Sequence, residues 1–152
     1  MTTIRQTLPI FGLFLATAIA ALAKEECLIL TAADVKKVTG TQVQQVARGS
    51  KPGAGGRCAN YATVEGELYL GVSQLSSVSD YQRAIAEVPE DIYPKREKLS
   101  GVGDEAILMK DDRGTMRYLV ARKGNRGVVL FPLSQGPSDE QLKKLANVAL
   151  SH

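Results

Sequence analysis

Tryptophan is absent from the 152 residues, aromatic side chains make up only 5%, and histidine occurs once, as His152. The shortage of aromatics argues against a stacking platform for sugars or single-stranded bases. A histidine at the end of a chain is expected to be mobile and makes a poor general base. That removes Ser-His-Asp and Cys-His arrangements from consideration. Histidine zinc sites go with them, and two cysteines do not make a structural zinc site alone. Neither sign of charge dominates: 19 basic against 16 acidic side chains leave a net charge of +3, which gives no reason to expect a nucleic-acid partner. Phosphate loops are lacking too. Gly53-Ala54-Gly55-Gly56 and Gly101-Val102-Gly103 do not continue into Gly-Lys-Ser/Thr, and they read as a loop and a turn. No cofactor or metal is expected, and no enzymatic activity.

What is present begins with an export signal. Arg5 is the only charged side chain before Lys24, and an apolar stretch from Pro9 to Leu22 closes on Ala21-Leu22-Ala23, the small-x-small pattern of signal peptidase. Residues 1–23 are expected to be cleaved, leaving one domain over residues 24–152 with no transmembrane segment, periplasmic or secreted. The competing reading is an uncleaved anchor, since the uncharged stretch approaches the lower length limit for spanning a bilayer. Export sends Cys27 and Cys58 to an oxidising compartment, where an even pair usually bonds. A reactive thiol would need a nearby base or a Cys-x-x-Cys spacing, and the sequence shows neither.

The mature chain reads as α+β: a mainly antiparallel sheet of about six strands with three helices. Thr31 and Asp34 form a capping box, and Gly40 ends that helix. Thr41 to Arg48 reads as a strand. A hairpin is expected from arms 57–64 and 67–75 about Glu65-Gly66, pairing Ala59 with Val72, Tyr61 with Leu70 and Thr63 with Leu68, with Cys58 on the opposite face or at the strand end. Ser79 is expected to cap a short helix stopped by Pro89. Residues 90–103 read as a loop and 105–110 as a strand. A second hairpin has arms 115–123 and 126–133 around Gly124-Asn125. Ser138 and Gln141 box the start of a last helix, whose Leu142, Leu145, Ala146 and Ala149 share one face. The order suggests a duplicated α-β-β-β unit.

Cys27-Leu28-Ile29-Leu30-Thr31-Ala32-Ala33-Asp34-Val35, then Cys58-Ala59-Asn60-Tyr61, the turn Gly101-Val102-Gly103-Asp104-Glu105-Ala106 and the closing amphipathic helix together resemble a family of exported bacterial envelope domains. Many of these are lipoproteins, best known from actinobacteria. The resemblance implies a compact α+β envelope module and no activity. This chain departs from the lipoprotein members in having no lipidation site.

The carboxylate pairs Asp104-Glu105 and Asp111-Asp112 are adjacent in sequence, which does not supply the cross-cleft geometry of acid–base pairs. Asp104 is expected to fix a turn, and Asp111-Asp112 to lie in a solvated loop. The most distinctive surface feature is basic. Arg117, Arg122, Lys123 and Arg126 sit on the second hairpin, with Lys123 facing Arg126, and like charges in that relation destabilise. They are a candidate anion-binding site for an acidic protein or an anionic envelope surface, against the simpler reading of a hydrated hairpin tip. The expected function is a non-catalytic envelope binding or accessory module. The alternative is a small extracytoplasmic enzyme or enzyme inhibitor.

Overall fold

The computed structural model describes residues 29–46, 57–133 and 135–152. The expected signal peptide, Cys27 and the Gly53–Gly56 loop lie outside the described residues. Three helices and seven strands follow in the order α1 (Ala32–Thr39), β1 (Val43–Val46), β2 (Arg57–Thr63), β3 (Leu68–Leu75), α2 (Val78–Ala86), β4 (Lys95–Lys98), β5 (Glu105–Lys110), β6 (Arg117–Lys123), β7 (Arg126–Pro132) and α3 (Asp139–Ser151). The α+β class is therefore as expected. All strands belong to one sheet of order β1-β2-β3-β7-β6-β5-β4, antiparallel throughout.

Two meanders thus meet at the β3–β7 seam. The second has four strands, not three, and α1 and α2 pack on opposite faces, so a duplicated α-β-β-β unit is not what the chain builds. The extra strand is β4, within the stretch read as a loop. Its sequence Lys-Arg-Glu-Lys has no apolar alternation to reveal it. As an edge strand it buries no full face.

Both faces of the sheet are covered, because the central strands are apolar on both sides. Leu119, Ala121, Val128 and Leu130 point to one core, where α1 and α3 lie through Val35, Leu142, Leu145 and Ala146. Val120 and Val129, alternating with them, point to a second core under α2, formed with Leu75, Tyr81, Ala84 and Met109. Burying a side chain such as Leu130 or Leu145 contributes about 1.5–3 kcal/mol.

The helix ends follow their local chemistry. Both expected capping boxes form, at Thr31/Asp34 and Ser138/Gln141. Gly40 ends α1 in the left-handed conformation. The α2 cap is Ser77 rather than Ser79; its side chain accepts the Asp80 N–H. Ser79 lies inside the first turn, its hydroxyl 3.1 Å from that of Ser77. Of two serines two apart, the earlier has extended backbone dihedrals and so occupies the cap.

The first hairpin keeps Ala59 opposite Val72 and Tyr61 opposite Leu70, but Leu68 faces Ala62, not Thr63. The register slips twice, between Arg57 and Ala59 and between Tyr61 and Ala62. These bulges turn Cys58 and Tyr69 into the same core as Ala59, Tyr61 and Leu70, which a strict period of two does not allow. Cys58 lies at the strand end, the second of the two expected placements, and is buried in the main core instead of on the opposite face. The displaced Leu68 is half exposed. Tyr61, wholly buried, donates its hydroxyl to the Leu30 carbonyl and ties the chain entering α1 to β2.

Candidate functional site

The second hairpin forms in the expected register, Lys123 opposite Arg126 with Gly124 left-handed at the turn. Its four basic residues do not converge. Arg117 stands at the other end of β6, about 17 Å from Arg122 at the usual rise per residue. It donates to Asp139 at 3.2 Å, and Lys110 reaches the second oxygen of the same carboxylate at 2.6 Å. Asp139 opens α3 directly after the Ser138 cap, so this half-buried trio fixes the start of α3 to β5 and β6.

At the tip, alternation along the strand sends the cations to different sides. Arg122 turns toward α2, where its Nε donates to Glu105 at 2.9 Å and its guanidinium lies 5.6 Å from the centre of the Tyr81 ring. Arg126 donates to the main-chain oxygen of His152 at 2.8 Å. The last turn of α3 has no basic residue of its own, so Arg126 supplies the cation that a helix C-terminus favours. Lys123 borders a cavity with Gly101, Gly103, Asn147, Leu150 and Ser151. Asp104 completes the tip by accepting the Gly124 N–H at 2.7 Å. It does fix a turn as expected, though that of the neighbouring hairpin. The repulsion inferred from the hairpin alone is thus relieved within the fold by Glu105, Asp104 and the end of α3.

The other motifs also resolve. Gly101-Val102-Gly103 is a latch: Asn147 of α3 donates to the Gly101 carbonyl at 2.9 Å and accepts the Gly103 N–H at 3.2 Å, while Val102 is buried. Asp111 accepts from the Thr115 hydroxyl at 2.7 Å and the Met116 N–H at 3.0 Å, closing the loop between β5 and β6. Those bonds, the Thr115 one first, hold its carboxyl below the ordinary value. Among the described residues no group of His, Cys, Asp or Glu is arranged to hold a metal ion, and no helix is long and apolar enough to cross a membrane.

A cleft of about 430 Å³ opens between α2 and the β4–β5 edge. Ile85, Leu99, Ala106 and Ile107 give it apolar walls; Tyr81, Lys98, Asp104 and Glu105 are its polar members. Glu105 is not set up as a proton donor. The hydrogen bond from Arg122 outweighs desolvation and holds its carboxyl below the ordinary range, whereas a general acid needs its pKa raised toward neutrality. Asp104 is committed to Gly124. Lys98 is exposed and, among the described residues, its side chain makes no hydrogen bond and no ion pair within 4 Å, though its charge helps to hold the Glu105 carboxyl down. Sequence reading missed this cleft because its walls come from α2, β4 and β5. Only Asp104 and Glu105 were singled out, and only as neighbours along the chain.

The Asp139 trio has a consequence for pH. Burial raises the Asp139 pKa, but the hydrogen bonds from Lys110 and Arg117 outweigh it, and the carboxyl lies below its ordinary 3.8. A group with a depressed folded-state pKa stabilises the fold above its unfolded value, and that stability is lost as pH falls through the folded one. Chemical denaturation of wild type between pH 6 and about pH 2 should therefore show stability dropping below about pH 4. Asp139→Asn should cost about 1 kcal/mol at neutral pH, the figure being modest because the carboxylate is one-third exposed, and should flatten that drop. An unchanged slope would remove the trio from acid sensitivity.

Compared with protein-family models, curated proteins and solved structures, the chain matches none.

Proposed function

We propose that this protein is a non-catalytic binding or accessory module of the cell envelope whose partner is acidic. The carrying observation is the α2/β4–β5 cleft, with its apolar walls, its carboxylates locked in internal bonds and a cation, Lys98, that no hydrogen bond ties down among the described residues. Such a site is suited to holding a partner's apolar side chain and pairing with its carboxylate; it offers no group poised to move a proton. The resemblance to exported envelope domains and the export signal support the location. In an oxidising compartment Cys58 would pair with Cys27. No cysteine is free among the described residues.

The experiment joins location to binding. Expressed in a bacterial host, the protein should be recovered outside the cytoplasm with Lys24 as its first residue by mass spectrometry. The purified mature form should bind polyglutamate, weakening as salt rises from 20 to 300 mM in the manner of exposed charges, and should not bind polylysine. Recovery of an intact Met1 form embedded in membrane, or indifference to polyglutamate, would overturn the reading.

A further inference from the structure

We infer that the acidic partner is an extended peptide segment that adds to the free edge of β4 as an eighth strand. The inference rests on the binding function proposed above and specifies its partner. At that end of the sheet, among the described residues, β4 has a strand on one side only, β5. The Leu99 N–H donates to Ala106 at 2.9 Å, and Lys98 lies opposite Ile107. In an antiparallel ladder inward- and outward-facing residues alternate. Leu99, Glu97 and Lys95 therefore bond toward β5, and the N–H and C=O groups of Arg96 and Lys98 face outward. The inner side of β5 agrees, since its alternate residues bond to β6 and the Asp111 N–H continues that series to Met116.

Charge selects the kind of strand. β4 carries Lys95, Arg96 and Lys98 against one carboxylate, Glu97. Three of the four are occupied. Lys95 donates to the Asp112 carbonyl, Arg96 donates to the Val88 carbonyl at 2.7 Å, and Glu97 lies 3.9 Å from Lys110. Lys98 has no such bond; it lies on the cleft side, directly opposite Ile107, with Glu105 the carboxylate its charge acts on. An incoming strand gains backbone bonds at Arg96 and Lys98. Its alternate side chains go to opposite faces: acidic ones on the α2 face lie with their stems over Ile85 and Ile107 and their carboxylates toward Lys98, and apolar ones on the other face lie beside Leu99, which packs against the α1/α3 core. Strand addition takes its affinity from main-chain bonds and its specificity from such alternating pockets. The partner is thus an acidic segment with strand periodicity, rather than a merely acidic surface.

Two fluorescein-labelled peptides of equal composition separate these cases: Gly-Glu-Val-Glu-Val-Glu-Gly, which alternates, and Gly-Glu-Glu-Glu-Val-Val-Gly, which does not. Fluorescence anisotropy at low salt should show the alternating peptide binding at least about tenfold more tightly. Lys98→Pro removes one outward N–H without touching the ladder to β5, and should cost the alternating peptide about tenfold. Lys98→Ala keeps the N–H and should cost about threefold, with a weaker salt dependence. As a measurement independent of any variant, amide exchange at Arg96 and Lys98 of the wild type should slow when the alternating peptide is added. Equal binding of the two peptides, or unaltered exchange at both amides, would overturn strand addition while leaving the acidic-partner reading intact. Failure of both peptides and of polyglutamate to bind would remove that reading as well.

Discussion

Replacing Gly103 with alanine should lower the stability of the domain by about 3 kcal/mol, the left-handed backbone and the forced displacement of neighbours each contributing. Gly103 has φ +55, and a methyl group there would sit 2.3 Å from the Arg122 carbonyl oxygen and 2.8 Å from the Leu150 side chain. The first of these is backbone of a central hairpin and cannot swing aside. Relief requires moving the Gly101–Gly103 latch off α3, which strains the bonds to Asn147 and the buried Val102. Gly124→Ala is the control. Its φ is +59, yet nothing lies within 4 Å of the added atom, so only the conformational cost of about 1 kcal/mol applies. Urea denaturation of both variants checks the difference. Equal losses would mean that the latch yields freely.

Cys58→Ser should be of similar size, costing about 2–5 kcal/mol under oxidising conditions. Cys58 is nearly buried in the main core. Tyr61, three residues along β2, is bonded to Leu30, three residues after Cys27. The bridge to Cys27 is the one expected of two cysteines in an exported chain. Wild type treated with reductant should fall to nearly the stability of the variant. Titration of two free thiols in denatured, unreduced wild type would reject the bridge.

Much of the fold was legible because its signals are local. The boxes at Thr31/Asp34 and Ser138/Gln141 mark helix starts, and Gly124-Asn125 fixes the register that sets Lys123 against Arg126. The hairpin of β6 and β7 is apolar on both sides, as a sheet covered on both faces requires, but helices were expected over one face only. What escaped was what depends on neighbours distant in sequence. The bulges at Cys58 and Tyr69 come from fitting β2 and β3 to one core, and no residue type there announces them. β4 owes its strand geometry to β5, since Lys-Arg-Glu-Lys has no pattern of its own. The basic hairpin was misjudged for the same reason. Read alone it is a cluster of unrelieved positive charge, but Glu105, Asp104, Asp139 and the end of α3 arrive from other elements. The cleft beside Lys98 has no linear trace at all.

The seam between the two meanders bears on how the chain reaches this state. β3 and β7 are paired from Leu70 opposite Pro132 to Leu75 opposite Gly127, joining segments about 50 to 60 residues apart. Each meander is assembled from near neighbours, whereas the seam must close a long loop before any of its bonds are gained. The high contact order of that one ladder makes its closure the natural barrier to folding. Near one end of it Gly71 leaves room for the Phe131 ring, whose atoms come as near as 1.9 Å to where a methyl group would lie. The ring stacks onward against Tyr118 at 6.2 Å between centres. A side chain of β7 thus lies over β3, so the ladder joining the most distant segments of the sheet is also interlocked across its strands.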